Sequence, residues 1–151
     1  MSLRIRLDED MKIALKNKDS LQLSVIRLLR SELKNAEIAK GAPLTEDEVV
    51  QVVAREAKKR RESIEQFEKG GRTDLAEKEA AELRILSEYL PEQLGDDEIA
   101  GIAQEVISEL QATSKADKGK VMAALMPQVR GRADGKLVNQ IVDRLLERTS
   151  A

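Results

Sequence analysis

The chain contains no histidine, no cysteine and no tryptophan, and its aromatic residues are one phenylalanine, Phe67, and one tyrosine, Tyr89. Without His or Cys, the usual zinc, haem and iron–sulfur ligand sets cannot be built, nor can a Ser-His-Asp or Cys-His catalytic pair. Absence of Cys also removes disulfides and is compatible with a reducing compartment, so a cytoplasmic location is expected. The scarcity of aromatic residues leaves Leu, Ile, Val, Met and Ala to fill a core, which suits packed helices better than a sheet sandwich. No apolar run approaches the length of a membrane span, and the alternating start of the chain is not that of a secretory signal. No membrane partner is expected. The net charge of −2 excludes a globally basic nucleic-acid binder, and no DNA partner is expected. Local basic patches remain open.

Present instead are 36% charged and 41% hydrophobic residues, arranged at helical spacing. Leu3, Leu7, Met11, Ala14 and Leu15 predict an amphipathic helix over 2–18. Asn17, Lys18 and Asp19 mark a turn, and Asp19 with Gln22 starts a second helix from 20 to about 39. Its apolar face holds Leu21, Val25, Leu28, Leu29 and Leu33, broadened by Ile26. Gly41-Ala42-Pro43 stops it. Thr45 and Glu48 have capping-box spacing for a third helix over 46–69, roughly 36 Å long at ~1.5 Å per residue. Gly70-Gly71 ends that rod, and Asp74 begins a fourth helix carrying Leu75, Leu83 and Leu86 inward. Pro91 lacks an amide hydrogen and restricts Leu90, so this helix should end near Tyr89 or Leu90.

Shorter helices follow. Asp96 or Asp97 is placed to cap one with apolar positions Ile99, Ile102, Ala103, Val106, Ile107 and Leu110. After a break at Ala112-Thr113-Ser114, a short helix starts near Lys115 and buries Val121 and Leu125, with Pro127 limiting its length to about Val129. Gly131 reads as a terminator. Asp134 then caps a last helix with Leu137, Val138, Ile141, Val142, Leu145 and Leu146 on one stripe. No stretch alternates as a strand would. The expected fold is all-α: a four-helix bundle-like domain over 1–94 and a small three-helix domain over 95–151, whose core should be marginal.

Few strings carry chemistry. Ser31-Glu32-Leu33-Lys34 has the Ser-x-x-Lys spacing of serine acylases, but the companion Ser-Asp-Asn and Lys-Thr-Gly strings are missing. A polar pair on a helix face is the better reading. Residues 55–61 hold five positive side chains and one negative, yet acids follow at once, and Glu56–Arg60, Lys58–Glu62 and Arg61–Glu65 pair at i,i+4. That is a solvated face, each pair contributing ~0.2–0.5 kcal/mol. Residues 115–136 are different. Lys115, Lys118, Lys120, Arg130, Arg132 and Lys136 stand against Asp117 and Asp134, a surplus of four positive charges in an acidic chain. Several lie at helix ends, where free backbone amides also meet phosphate. They are the candidate RNA-binding residues; Tyr89, Pro91, Pro127, Gly131 and Asp134 are assigned structural roles. No catalytic residue, metal ligand or cofactor is expected.

Several strings together resemble the YqeY family. They are Asn17–Asp19, Ser24-Val25-Ile26-Arg27, Lys34-Asn35-Ala36-Glu37, Tyr89-Leu90-Pro91, Gly119-Lys120-Val121-Met122, Met126-Pro127, and Gly131 through Val138. The resemblance implies an N-terminal helical bundle and a C-terminal three-helix domain. That second domain is similar to the tail of the B subunit of the glutamine-dependent aspartyl/glutamyl-tRNA amidotransferase, a part associated with tRNA contact. It implies as partner a tRNA, or an enzyme that modifies or aminoacylates tRNA, engaged around 119–138. The expected function is a non-catalytic accessory or binding protein of that machinery. Two alternatives stand beside it: a regulatory protein-interaction module that touches no RNA, and a component of carbon–nitrogen ligase activity with glutamine as amide donor. The last lacks a visible nucleotide loop or amidase nucleophile, and a tail resemblance carries a surface, not a reaction.

Overall fold

The computed structural model describes residues 2–150. The chain is all-α, with a cluster of four helices followed by a smaller cluster of three. The first comprises α1 (Leu3–Asn17), α2 (Ser20–Lys40), α3 (Glu46–Lys69) and α4 (Thr73–Ser87). The second comprises α5 (Asp96–Leu110), a 3-10 turn at Lys115–Asp117 leading into α6 (Lys118–Val129), and α7 (Gly135–Ser150). Two compact units result, the first ending at Pro91 and the second starting at Glu92.

Local chemistry explains most helix ends in the first unit. The Ser2 hydroxyl accepts from the Ile5 amide, and the Asp19 carboxylate accepts from Gln22 at 3.1 Å. Thr45 and Glu48 form a reciprocal capping box at 3.2 and 3.0 Å. Lys18, with φ of 56°, turns the chain between α1 and α2, and Gly41, with φ of 74°, ends α2 in the left-handed region that glycine enters without a Cβ penalty. α4 stops at Ser87, two residues short of the expected end. Tyr89 and Leu90 instead donate backwards to Leu86 and Ser87, a tightened turn leading to Pro91.

The core of this unit joins Leu7 of α1, Val25, Ile26, Leu29 and Leu33 of α2, Val49, Val52, Val53 and Ala57 of α3, and Leu86 with Tyr89. Three expectations fail here. Leu15 lies on the predicted stripe of α1 but is exposed, because the interhelical contact follows Leu7 and Ala14. Leu21, expected on the apolar face of α2, is exposed in its first turn, ahead of the buried stretch that starts at Val25. Glu56, read from the sequence as part of a solvated face, is 3% exposed. It faces Arg60, whose guanidinium bridges α3 to α4: Nε lies 2.9 Å from Glu82 and 3.4 Å from Glu79, with a nitrogen 3.8 Å from Glu56. Lys59 adds a second cation beside Glu56, at 3.1 Å.

The second unit closes a core of its own, from Leu94, Ile99, Ala103, Val106 and Ile107 to Val121, Leu125, Val129, Val138, Val142 and Leu146. Leu94, expected at the end of the first domain, packs here. Gly95, not Asp96 or Asp97, occupies the cap of α5; its amide donates to the Glu98 carboxylate at 3.2 Å, leaving both aspartates in the first turn. Leu110 is exposed, and Ala112, read as part of a break, is buried. Pro127 sits inside α6, which still runs to Val129; the Arg130 amide closes the last turn on the Met126 carbonyl at 2.8 Å.

Candidate functional site

The connection from α6 to α7 shows how the second unit presents cations. Gly131 adopts φ of 79°, so the chain reverses sharply after Arg130. The amides of Arg132 and Ala133 both return to the Val129 carbonyl, at 2.9 and 3.1 Å. The segment before α5 braces this reversal from outside: Gln93 donates its side-chain amide to the Gly131 carbonyl at 2.9 Å, and the Leu94 amide donates to the Arg132 carbonyl at 2.8 Å. Arg130 is exposed and Arg132 half-buried. Asp134 then starts α7, its carbonyl accepting from Val138 at 3.1 Å and its carboxylate from the Lys136 amide at 3.4 Å. Lys136 is exposed in the first turn of α7. Arg130, Arg132 and Lys136 are thereby gathered at one end of α6.

The other three candidates sit at the opposite end. Lys120 and Arg130 are ten positions apart, about 15 Å of helix rise. The Lys115 ammonium lies 2.7 Å from Glu147, and Lys118 lies 2.9 Å from Asp143. Both acids belong to α7, one turn apart. Hydrogen bonding to Glu147, then its negative charge, raises the pKa of Lys115 above the ordinary lysine value. These two lysines therefore staple the start of α6 to α7. By contrast, Lys120, Arg130, Arg132 and Lys136 make no ion pair with a described residue. The six-residue set is thus divided into an internally neutralised pair, Lys120 near it, and a cationic turn.

Sequence reasoning missed two parts of this arrangement. Gln93 and Leu94 sit in a segment without helical periodicity, so nothing local marks them as braces. Asp143 and Glu147 did leave a signal: their i,i+4 spacing on the polar side of α7 matches a pair of lysines one turn apart on a neighbour. Tyr89 is buried, its hydroxyl donating to Asp10, and Pro91 is exposed. No group of three or more carboxylates among the described residues is arranged to hold a metal ion. No helix among them is long and apolar enough to cross a membrane.

Fold and site define a two-unit, all-helical protein whose second unit carries a braced cationic turn. The chain belongs to the family described as Yqey-like protein, which matches residues 4–146. It is 30% identical over 144 residues to altered inheritance of mitochondria protein 41, mitochondrial, of Pyrenophora tritici-repentis, covering 93% of this chain and 79% of the relative. The protein of the same name in Saccharomyces cerevisiae is 33% identical over 132 residues, 86% of this chain and 69% of the relative. That of Kluyveromyces lactis is 42% identical over 84 residues, 55% of this chain and 45% of the relative. In this last match the chain spans less than half of the relative's length. The cytoplasmic location expected from the sequence is corrected by these relatives, which are named as mitochondrial proteins.

Proposed function

We propose that this protein is a non-catalytic accessory factor of the tRNA-dependent amidation or aminoacylation machinery, binding tRNA through the cationic turn of its second unit. The observation that supports it is the unequal fate of the six basic residues. Lys115 and Lys118 are consumed by Glu147 and Asp143, while Arg130, Arg132 and Lys136 gather where α6 turns into α7, without an ion pair to a described residue. A turn of that kind meets backbone phosphate without reading bases, and no aromatic residue accompanies it for stacking. The resemblance of the second unit to the amidotransferase B-subunit tail points to the same surface and to tRNA as the polyanion.

The test is titration of the purified protein against tRNA at two salt concentrations. Binding that weakens steeply with salt supports the proposal; no binding at low salt removes it and leaves the protein-interaction reading. The ligase alternative predicts glutamine- and ATP-dependent transfer to misacylated tRNA by the chain alone, and turnover in that assay would overturn the non-catalytic assignment.

A further inference from the structure

A groove of about 480 Å³ lies in the first unit, walled by α1 and α2. Two ion pairs cross it. Arg4 of α1 pairs with Glu37 of α2, and Asp8 of α1 lies 3.6 Å from Arg30 of α2. Their order reverses between the helices, as antiparallel packing requires, so the two pairs close opposite ends. Between them α2 presents Ser31 and Lys34, one turn apart, and Leu7 with Leu33 forms the floor. This is the Ser-x-x-Lys string that no part of the proposed function uses.

The charges do not balance. Both carboxylates that line the groove already face an arginine, whereas Lys34 has no acidic partner and the Ser31 hydroxyl no hydrogen-bond partner among the described residues. Arg30 is under-supplied too: one of its terminal nitrogens reaches the Met11 sulfur at 2.9 Å, a weak acceptor for a guanidinium. An ammonium, a guanidinium and a hydroxyl therefore converge from one turn of α2 on a concavity of ligand size. Their complement is an oxyanion with several acceptor atoms. A tetrahedral phosphate offers an oxygen to each donor, while a planar carboxylate offers two oxygens in one plane. Catalysis is not implied, because no hydrogen bond links Ser31 to Lys34.

We infer that the α1–α2 groove binds the phosphate group of a small phosphate monoester, held by Lys34, Arg30 and Ser31. The experiment uses the full chain, labelled with nitrogen-15, titrated with inorganic phosphate, phenyl phosphate and acetate at constant ionic strength. Saturable amide shifts centred on Ser31 and Lys34 are expected for both phosphates, with dissociation constants on the order of 1–10 mM or below. Lys34→Gln should weaken binding about tenfold, the worth of one charge-assisted hydrogen bond, and Ser31→Ala by less. Both positions are exposed on α2, so the melting temperature should not change. Absence of saturable shifts at Ser31 and Lys34, equal shifts with acetate, or undiminished affinity in Lys34→Gln would overturn the assignment. Because the groove and the cationic turn belong to different units, loss of tRNA binding would leave this result untouched.

Discussion

The Tyr89 hydroxyl donates to the Asp10 carboxylate at 2.6 Å, tying the turn after α4 to the middle of α1. The ring is buried, Arg6 lies over its face at 4.7 Å from the centroid, and the Gln22 side chain approaches the hydroxyl at 3.5 Å. The chain's one tyrosine thus closes the first unit by packing, by a charge-assisted hydrogen bond and by a cation–π interaction.

That linkage has a pH consequence. Burial, then the hydrogen bond to Asp10 and its charge, raises the Tyr89 pKa well above the ordinary phenol value. A group with a raised folded-state pKa contributes stability that is fully present below its unfolded value, near 10, and is lost as pH rises beyond it. Urea unfolding should therefore show stability falling above about pH 10. Tyr89→Phe should cost about 1–2 kcal/mol at neutral pH and flatten that alkaline loss. An identical alkaline slope in the variant would count against the linkage.

Arg60 is the common partner of three carboxylates on two helices, and it is 15% exposed. Arg60→Ala leaves Glu56 buried, with Lys59 as its remaining cation. A loss of about 3 kcal/mol is expected from stranding a buried charge. Lys58→Ala, on the exposed side of α3, should stay within about 0.5 kcal/mol. Denaturant midpoints of the two variants measure this, and equal losses would place Arg60 on the solvated face that the sequence suggested.

Asp134 holds the start of α7 through the Lys136 amide, at a long 3.4 Å. Replacement by Ala should cost ~0.5–2 kcal/mol, toward the lower end given that length. Asp134→Asn, which keeps an acceptor oxygen, should restore most of it. Thermal unfolding of the pair decides; failure of Asn to recover stability would mean the carboxylate's charge, not its cap, is what matters.

For RNA, the structure separates residues that composition groups together. Neutralising Arg130, Arg132 and Lys136 should weaken tRNA binding and reduce the log–log salt slope by close to one unit for each phosphate left without its cation. Neutralising Lys115 and Lys118 should change the slope little, because Glu147 and Asp143 already neutralise them. It should instead lower the melting temperature of the second unit. Lys58, Lys59 and Arg61 provide the control in the first unit. Titration of the three variants against tRNA at two salt concentrations tests the order, and equal effects would remove the turn as the site.

The amino-acid sequence by itself determined the helices and most of their ends. Thr45 with Glu48, Asp19 with Gln22, Gly41 and Gly131 act within a turn or two of their own positions, so their roles are legible from neighbours in the chain. The all-α fold follows from the same periodicity, as does the burial of Val25, Ile26, Leu29 and Leu33. Tertiary structure decided what those surfaces meet. Glu56 looks solvated beside Lys58 and Lys59; it becomes buried only when α4 brings Glu79 and Glu82 to Arg60. Lys115 and Lys118 look like phosphate ligands until α7 places Glu147 and Asp143 against them, and Gln93 acquires its role only where α6 reverses. Hydrogen bonding at helix ends is set by residues a few positions away, whereas the pairing of a charge depends on segments dozens of residues distant that packing alone brings into reach.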